Sequence, residues 1–293
     1  MRREQVILIS GCSSGIGRAA AIEAARRGHR VFASARDPQT IASLGEQAGA
    51  RIRSLRLDVQ DAASCAAAVQ SVLAEAGRLD ALVNNAGYAQ YGSVEDVSIE
   101  RWQAQFDVNV FGVLRLTQAA LPAMREARSG TIVNVSSVGG KVSVPFASPY
   151  CAAKHALEAV SDALRVEVSP FGIRVVVIEP GTITTRFEER ARREADSLLK
   201  GAGPYSPFYG GAERAMDVEL RMGELPPEAV ARVIVDAVEA RRPRTRYPLT
   251  LLARLLIPLR RLLPDRYFDW QMRRMLKLPS PPLPASGKTQ PPT

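Results

Sequence analysis

The chain has 293 residues, 46% of them hydrophobic, and a formal net charge of +9. That length and apolar content suit one large α/β domain or two small ones, each with a real core. The charge is local: residues 241–293 hold twelve of the lysines and arginines and two of the acids, giving +10, while the first 240 residues sum to −1. A basic tail on a near-neutral body does not mark a general nucleic-acid binder, and no nucleic-acid partner is expected. Cys12, Cys65 and Cys151 are too few and too scattered for a disulfide framework or a zinc site, so no metal is expected and the thiols read as buried and inert.

The first apolar run, VILIS (6–10), is far shorter than a signal-peptide core of about 7–15 residues and reads as a buried strand. Further runs follow at VFASA (31–35), IRSLRL (52–57), ALVNN (81–85), TIVNVSS (131–137) and IRVVVIEP (173–180). Between them, 15–29, 38–49, 61–77, 98–127 and 149–169 have helical composition, and Ser148 as N-cap with Pro149 in the first turn predicts the start of the last. Strand and helix in alternation predict a Rossmann-type, doubly wound parallel sheet with helices on both faces. Residues 182–225 break the rhythm with Gly, Pro, Tyr and Phe; 226–240 return to a helix, and "RRPRTRYPL" holds one last strand, about the seventh. The amphipathic, leucine-rich stretch 249–278 is predicted as short helices divided by Pro258 and Pro264, and the Pro-rich 279–293 as a disordered tail. No run of 18 apolar residues occurs, so no transmembrane helix is expected.

The first strand runs straight into SGCSSGIG, which puts Gly11, Gly15 and Gly17 at a strand-to-helix turn. Glycines there allow close backbone approach to a diphosphate, and a helix N-terminus offers free N–H groups. The second strand ends in Ala35 and Arg36, where an acid would bind the ribose hydroxyls of NAD; a guanidinium favours the 2′-phosphate of NADP, although Arg36 could instead pair with Asp37. Ser137 ends one strand, and thirteen residues later Tyr150 opens a helix with Lys154 one turn on. Strand tips and helix starts on the carboxyl side of a parallel sheet face one crevice, so these three side chains can meet there.

With LDV (57–59), NNAG (84–87), Asn109 in FDVNVFG and PGTITT (180–185), these motifs make residues 4–240 resemble the short-chain dehydrogenase/reductase family. GCSSGIG, SVGG, YCAAKHALE and PFGI are most similar to the branch of 17β-hydroxysteroid and retinol dehydrogenases and their bacterial relatives. One departure is Ser10, where the family has Thr. The resemblance implies Tyr150 as general acid and base, Lys154 as its tuner and a holder of the nicotinamide ribose, Ser137 as a hydrogen-bond donor to the substrate oxygen, and Asn109 in a proton relay. It implies a cofactor site built from Gly11, Ser13, Ser14, Gly15, Ile16, Gly17, Arg36, Asp58, Val59, Asn85, Ala86, Gly87, Pro180, Gly181, Ile183 and Thr185, besides Tyr150 and Lys154. The electrostatics are compatible: a tyrosinate at pH 7 costs roughly 4 kcal/mol, and an ammonium about 4 Å away at an effective dielectric near 20 supplies about that much.

The expected function is NADP(H)-dependent interconversion of a carbonyl and an alcohol on a sterol, retinoid, polyketide or fatty aldehyde. The alternatives are an NAD-dependent dehydrogenase and a non-catalytic nucleotide-binding regulator on the same fold. The expected organisation is a dehydrogenase domain over 1–248, with 182–225 covering the substrate through Phe187, Leu198, Leu199, Tyr205, Phe208, Tyr209 and Met216. A homodimer or homotetramer is expected through helices 98–127 and 149–169. The extension 249–278 has three open readings: packed on its own domain, rimming the substrate cleft, or making peripheral contact with the inner membrane face of a cytoplasmic protein.

Overall fold

A computed structural model of the protein describes residues 3–181, 183, 203–210 and 225–279. Seven strands, β1 (Val6–Ile9), β2 (Arg30–Ala35), β3 (Ile52–Arg56), β4 (Ala81–Asn84), β5 (Gly130–Val135), β6 (Ile173–Glu179) and β7 (Arg246–Pro248), form one sheet in the order β3-β2-β1-β4-β5-β6-β7. Every pairing is parallel. Alternate residues of each strand enter different cores: Ile7, Ile9, Val83 and Val176 on one face, Val6, Leu8, Leu82 and Val175 on the other. A strand covered on both sides has no polar face, which is why the sequence shows VILI and VVVI rather than an alternating pattern.

Among the described residues the α-helices are, in chain order, α1 (Gly15–Arg26), α2 (Ser43–Ala48), α3 (Ala62–Ala76), α4 (Ile99–Phe106), α5 (Gly112–Glu126), α6 (Ser148–Glu167), α7 (Pro227–Glu239), α8 (Leu251–Leu262) and α9 (Asp265–Leu276). Helix α1 presents Ala20, Ala21 and Ala24, small enough for close packing with Val230, Ile234 and Val235 of α7. Each of those three larger side chains contributes about 1.5–3 kcal/mol when fully buried. Helices α3 and α5 cover the opposite face with Val69, Val72, Leu116 and Met124. The strand order reverses between β1 and β4, and in such sheets the ligand crevice lies at the carboxyl ends of the strands beside that reversal.

Three expectations need correction. The helix predicted over 98–127 is interrupted: α4 ends at Phe106 and a π-helical turn, Asp107–Phe111, leads into α5. The widened turn carries Asn109 to the loop after β4, where its Oδ1 accepts from the Tyr88 N–H at 3.2 Å and its Nδ2 donates to the Tyr88 carbonyl at 2.9 Å. Ser148 is not the N-cap of α6; Ala147 takes that position without a side-chain bond, and Pro149 in the first turn has no N–H to be capped. Pro258 does not divide the extension. Helix α8 runs through it, capped by Thr250, whose Oγ1 accepts from the Ala253 N–H at 3.0 Å. Pro258 lies on the exposed side, where the carbonyl left unpaired by its missing N–H can face water. The break falls at Leu263–Pro264.

Candidate active site

At the sheet's reversal, Ser10 and Asn85 tie two loops into one unit. Ser10 Oγ donates to the Val83 carbonyl (3.3 Å) and accepts from the N–H groups of Asn85 (3.0 Å) and Ala86 (3.1 Å). Asn85 Nδ2 in turn donates to the carbonyls of Ser10 (2.9 Å) and Gly11 (3.1 Å). A hydroxyl at position 10 is enough for this role, so the exchange of Thr for Ser leaves the tie intact. Gly11 has φ +74°, and a Cβ there would lie 2.8 Å from Ala86 Cα; a Cβ on Gly17 would overlap the Gly11 carbonyl and the Asn85 amide. The glycines are therefore required by backbone contact before any ligand is considered.

The turn also fits a dinucleotide. Ser14 stands at the N-cap of α1 and makes no side-chain cap bond, so the first N–H groups of the helix are not satisfied by it. Ser13 beside it is exposed, while Ile16 packs against the core. At the tip of β2, Ala35 is buried and Arg36 exposed. Asp37 does not pair with Arg36: its carboxylate accepts from the Gln39 N–H at 2.9 Å and opens a 3-10 turn, Pro38–Ile41. Beyond β3, Asp58 is half-buried, with its N–H held by Ser64 Oγ at 3.0 Å, and Val59 is buried against Gly112.

Across the crevice, Ser137 follows β5 and Tyr150 lies in the first turn of α6. A Cβ on Gly139 would be 3.2 Å from Tyr150 Cε1 and 3.5 Å from Ser137 Oγ, so both side chains flank one glycine. Ser137 Oγ accepts from the Gly139 N–H at 3.1 Å. Lys154 is 6% exposed; its Nζ donates to the Val135 carbonyl at 2.8 Å and lies 5.8 Å from the centre of the Tyr150 ring. Burial pushes the Lys154 ammonium down to about 8, partly opposed by the Glu158 carboxylate. The π-helical turn bearing Asn109 packs against α6, and Asn109 Oδ1 would be 3.2 Å from a Cβ on Gly87.

Pro180 accepts from the Val138 N–H at 3.0 Å, Gly181 lies against Thr250, and Ile183 bridges to Leu225. Thr185, Phe187, Leu198, Leu199 and Met216 lie outside the described residues. Tyr205, Phe208 and Tyr209 form an apolar cluster with Phe146, Leu276 and Leu278. Tyr209 is anchored there by donating to Asp96 and accepting from the Ser93 N–H.

A profile described as short chain dehydrogenase matches residues 5–196. The chain belongs to the short-chain dehydrogenase/reductase family. It is 34% identical over 270 residues to the 3-ketodihydrosphingosine reductase of Bacteroides thetaiotaomicron, covering 92% of this chain and 97% of that protein. Human 17-beta-hydroxysteroid dehydrogenase type 1 is 37% identical over 253 residues (83% and 76% covered). The NADPH-dependent 3-dehydrocapnine reductase of Ornithobacterium rhinotracheale is 34% identical over 273 residues (89% and 94% covered). Among solved structures, a short-chain dehydrogenase from Streptomyces avermitilis superposes with TM-score 0.77 at 33% identity, covering 94% of this chain and 98% of that one. A Burkholderia phymatum family member in complex with NAD gives 0.75 at 26% identity (96% and 98% covered). A metagenomic short-chain oxidoreductase in complex with NADP gives 0.66 at 26% identity (83% and 95% covered). As a short-chain dehydrogenase/reductase, the protein is an oxidoreductase that uses a nicotinamide dinucleotide.

Sequence reasoning missed a buried charge cluster behind this short-chain dehydrogenase/reductase site. Glu158, one turn beyond Lys154, accepts from Lys141 Nζ at 2.9 Å and pairs with the Arg246 guanidinium at 3.0 Å. Arg246 also reaches Asp162 at 2.7 Å and lies 3.4 Å from Glu179. Burial and the neighbouring Glu158 push Glu179 up to about 7. Glu179 closing the apolar run IRVVVIE was the one sequence signal. A second buried network, Asn84 to Asn134 to Ser161, with bonds of 2.9 Å each, ties β4, β5 and α6 together beneath the site.

Proposed function

We propose that the protein is an NADP(H)-dependent oxidoreductase that interconverts a carbonyl and an alcohol on a lipophilic substrate. The observation that carries this is the meeting of Ser137 and Tyr150 around Gly139, with the buried Lys154 ammonium one helical turn behind. The cofactor supplies or accepts the hydride; the chain's own residues manage the oxygen and the proton. Ser137 already accepts from Gly139, which leaves its hydroxyl hydrogen for the substrate oxygen. Tyr150 donates the proton in reduction and takes it back in oxidation, and the Lys154 charge stabilises the tyrosinate form. Lys154 gives one of its three N–H groups to Val135 and keeps two for the nicotinamide ribose and the relay. Asn109 holds the π-helical turn beside α6, where a relay water joining Lys154 to solvent would sit.

The preference for NADP is proposed from Ala35 in place of an acid and from Arg36, which is exposed and not engaged by Asp37, with Ser13 assisting. A relative whose name specifies NADPH supports it. The remaining cofactor contacts proposed are those expected from Gly11 to Gly17, Asp58, Val59, Asn85 to Gly87 and Pro180 to Thr185. The apolar cluster of Phe146, Tyr205, Phe208, Tyr209, Leu276 and Leu278 supports a lipophilic ligand. We place the substrate-covering segment at 182–225 within a 1–248 domain, and the location as cytoplasmic. No helix among the described residues is long and apolar enough to cross a membrane. For a homodimer or homotetramer, the support is exposed apolar surface, with Phe111 49% exposed beside Trp102 and Phe106.

Comparing catalytic efficiency with NADPH and NADH over long-chain ketones, fatty aldehydes, sterols and retinoids tests the proposal. NADPH turnover on at least one long-chain carbonyl is expected. Cofactor binding without hydride exchange to any carbonyl would leave the regulator reading, and a preference for NADH would overturn the cofactor assignment.

A further inference from the structure

Helix α8 has two apolar sides, and among the described residues only one of them packs on the domain. Ala253, Leu256 and Ile257, with Phe268 of α9, pack on Val138 and Val142, which follow Ser137 closely in the chain. Leu276 and Leu278 complete the cluster with Phe146 and Tyr209. The helical pair therefore rims the crevice. On the other side, Leu251, Leu255, Leu259 and Leu262 are 70%, 59%, 44% and 80% exposed. Their spacing of four, four and three residues puts them on one stripe, with exposed Pro258 among them. Exposed Arg254 and Arg261 lie along one edge of that stripe. On α9, the exposed rings of Tyr267 and Trp270 sit 5.8 Å apart, and the Arg274 guanidinium lies 5.6 Å from the Trp270 ring. Residues 251–277 hold seven basic side chains against Asp265 and Asp269, and Asp265 is already paired with Arg260 at 2.7 Å.

We propose that this leucine–arginine face docks on an anionic lipid bilayer, leucines in the interface and arginines on the headgroups, so that a lipophilic substrate passes from the bilayer past α8 and α9 to Ser137 and Tyr150. Charge complementarity selects this occupant: a second copy would set one net-positive face against another, which opposes pairing. Packing on the domain, rimming the cleft and touching a membrane are then one arrangement, because the three use different sides of the same helices. The substrate route rests on the proposed lipophilic substrate; the docking does not.

Sedimentation of the full chain with vesicles of phosphatidylcholine alone, and of phosphatidylcholine mixed with phosphatidylglycerol, tests the docking. Binding is expected to the mixed vesicles, falling as salt rises. The Arg254→Gln/Arg261→Gln variant is expected to bind roughly 30-fold more weakly, and Leu255→Ser/Leu262→Ser to lose most binding. Both should keep wild-type turnover on a short, water-soluble ketone. No binding at low ionic strength, or equal binding by both variants, overturns the docking and leaves the enzyme reading intact. A dimer that dissociates in Leu255→Ser/Leu262→Ser, seen by light scattering, assigns the stripe to a second copy and also overturns it. Vesicle binding by a protein with no turnover on any carbonyl supports the docking while removing the substrate route.

Discussion

Around the glycine turn the chain is held by directional bonds from Ser10 and Asn85 and by backbone contacts with no room for a Cβ, whereas across the crevice α8 and α9 are held by apolar side chains on Val138, Val142 and Phe146. The difference matches what each side is proposed to bind. A diphosphate and a ribose have fixed polar geometry, so their cradle is built from backbone and tolerates almost no added atom. A lipophilic substrate is recognised by area, which many side chains can supply at similar energy. The cofactor side should therefore fail abruptly on substitution, and the substrate side gradually.

The largest effect is expected from Gly17→Val. Its Cβ would overlap the Gly11 carbonyl and the Asn85 amide, so either the fold fails or the cradle opens. The loss is expected to exceed about 4 kcal/mol, read as a large drop in Tm or a roughly 1,000-fold weaker NADPH titration. Near-native binding would break the contrast between the two sides.

Next comes Glu179→Gln, on the seam between them. The carboxyl is raised to about 7 in the folded chain, against about 4.3 in an unfolded one. Its favourable linkage is complete below the unfolded value and is lost as pH rises through 7. The variant is therefore expected to be more stable than wild type at pH 8, by at most roughly 4 kcal/mol, with the gap closing toward pH 5. Denaturant titrations at the two pH values check this; a gap that widens toward pH 5 would reverse the sign assigned to the burial.

A smaller change is expected from Ala35→Asp. A carboxylate beside the 2′-phosphate repels NADP and accepts from the ribose hydroxyls of NAD, so the ratio of NADPH to NADH efficiency should fall about 10- to 100-fold. An unchanged ratio would remove the tip of β2 from cofactor choice. The smallest effect is expected from Leu256→Ala under α8. Leu256 is only partly buried, so the cost should lie near 1–2 kcal/mol, at the low end for leucine truncation. The KM for long-chain substrates should rise while NADPH affinity stays level.

Most of the fold was legible in the sequence because a doubly covered sheet writes itself as alternating apolar runs and helical stretches; all seven strands fall on or beside runs that pattern singles out. Ser137, Tyr150 and Lys154 were legible because a strand tip and a helix start fix where those side chains go. What stayed hidden depends on contacts between distant segments. The π-helical turn at Asn109 exists to reach Tyr88, and nothing in 107–111 alone announces it. The cluster of Lys141, Glu158, Glu179 and Arg246 joins residues up to 105 positions apart, and no local pattern marks such a set. Pro258 misled because its helix-breaking tendency is a local penalty, and packing of Ala253, Leu256 and Ile257 outweighs it.

In the proposed mechanism Tyr150 handles the proton, while the cofactor cradle across the crevice works independently of it. Tyr150→Phe removes one oxygen from a half-buried ring and leaves the glycine turn untouched. NADPH turnover on the best carbonyl substrate should be measured in wild type and variant, alongside NADPH affinity and Tm. A fall in kcat of about 100- to 10,000-fold is expected, with affinity and Tm near wild-type levels. A variant that turns over within about twofold of wild type would contradict the mechanism.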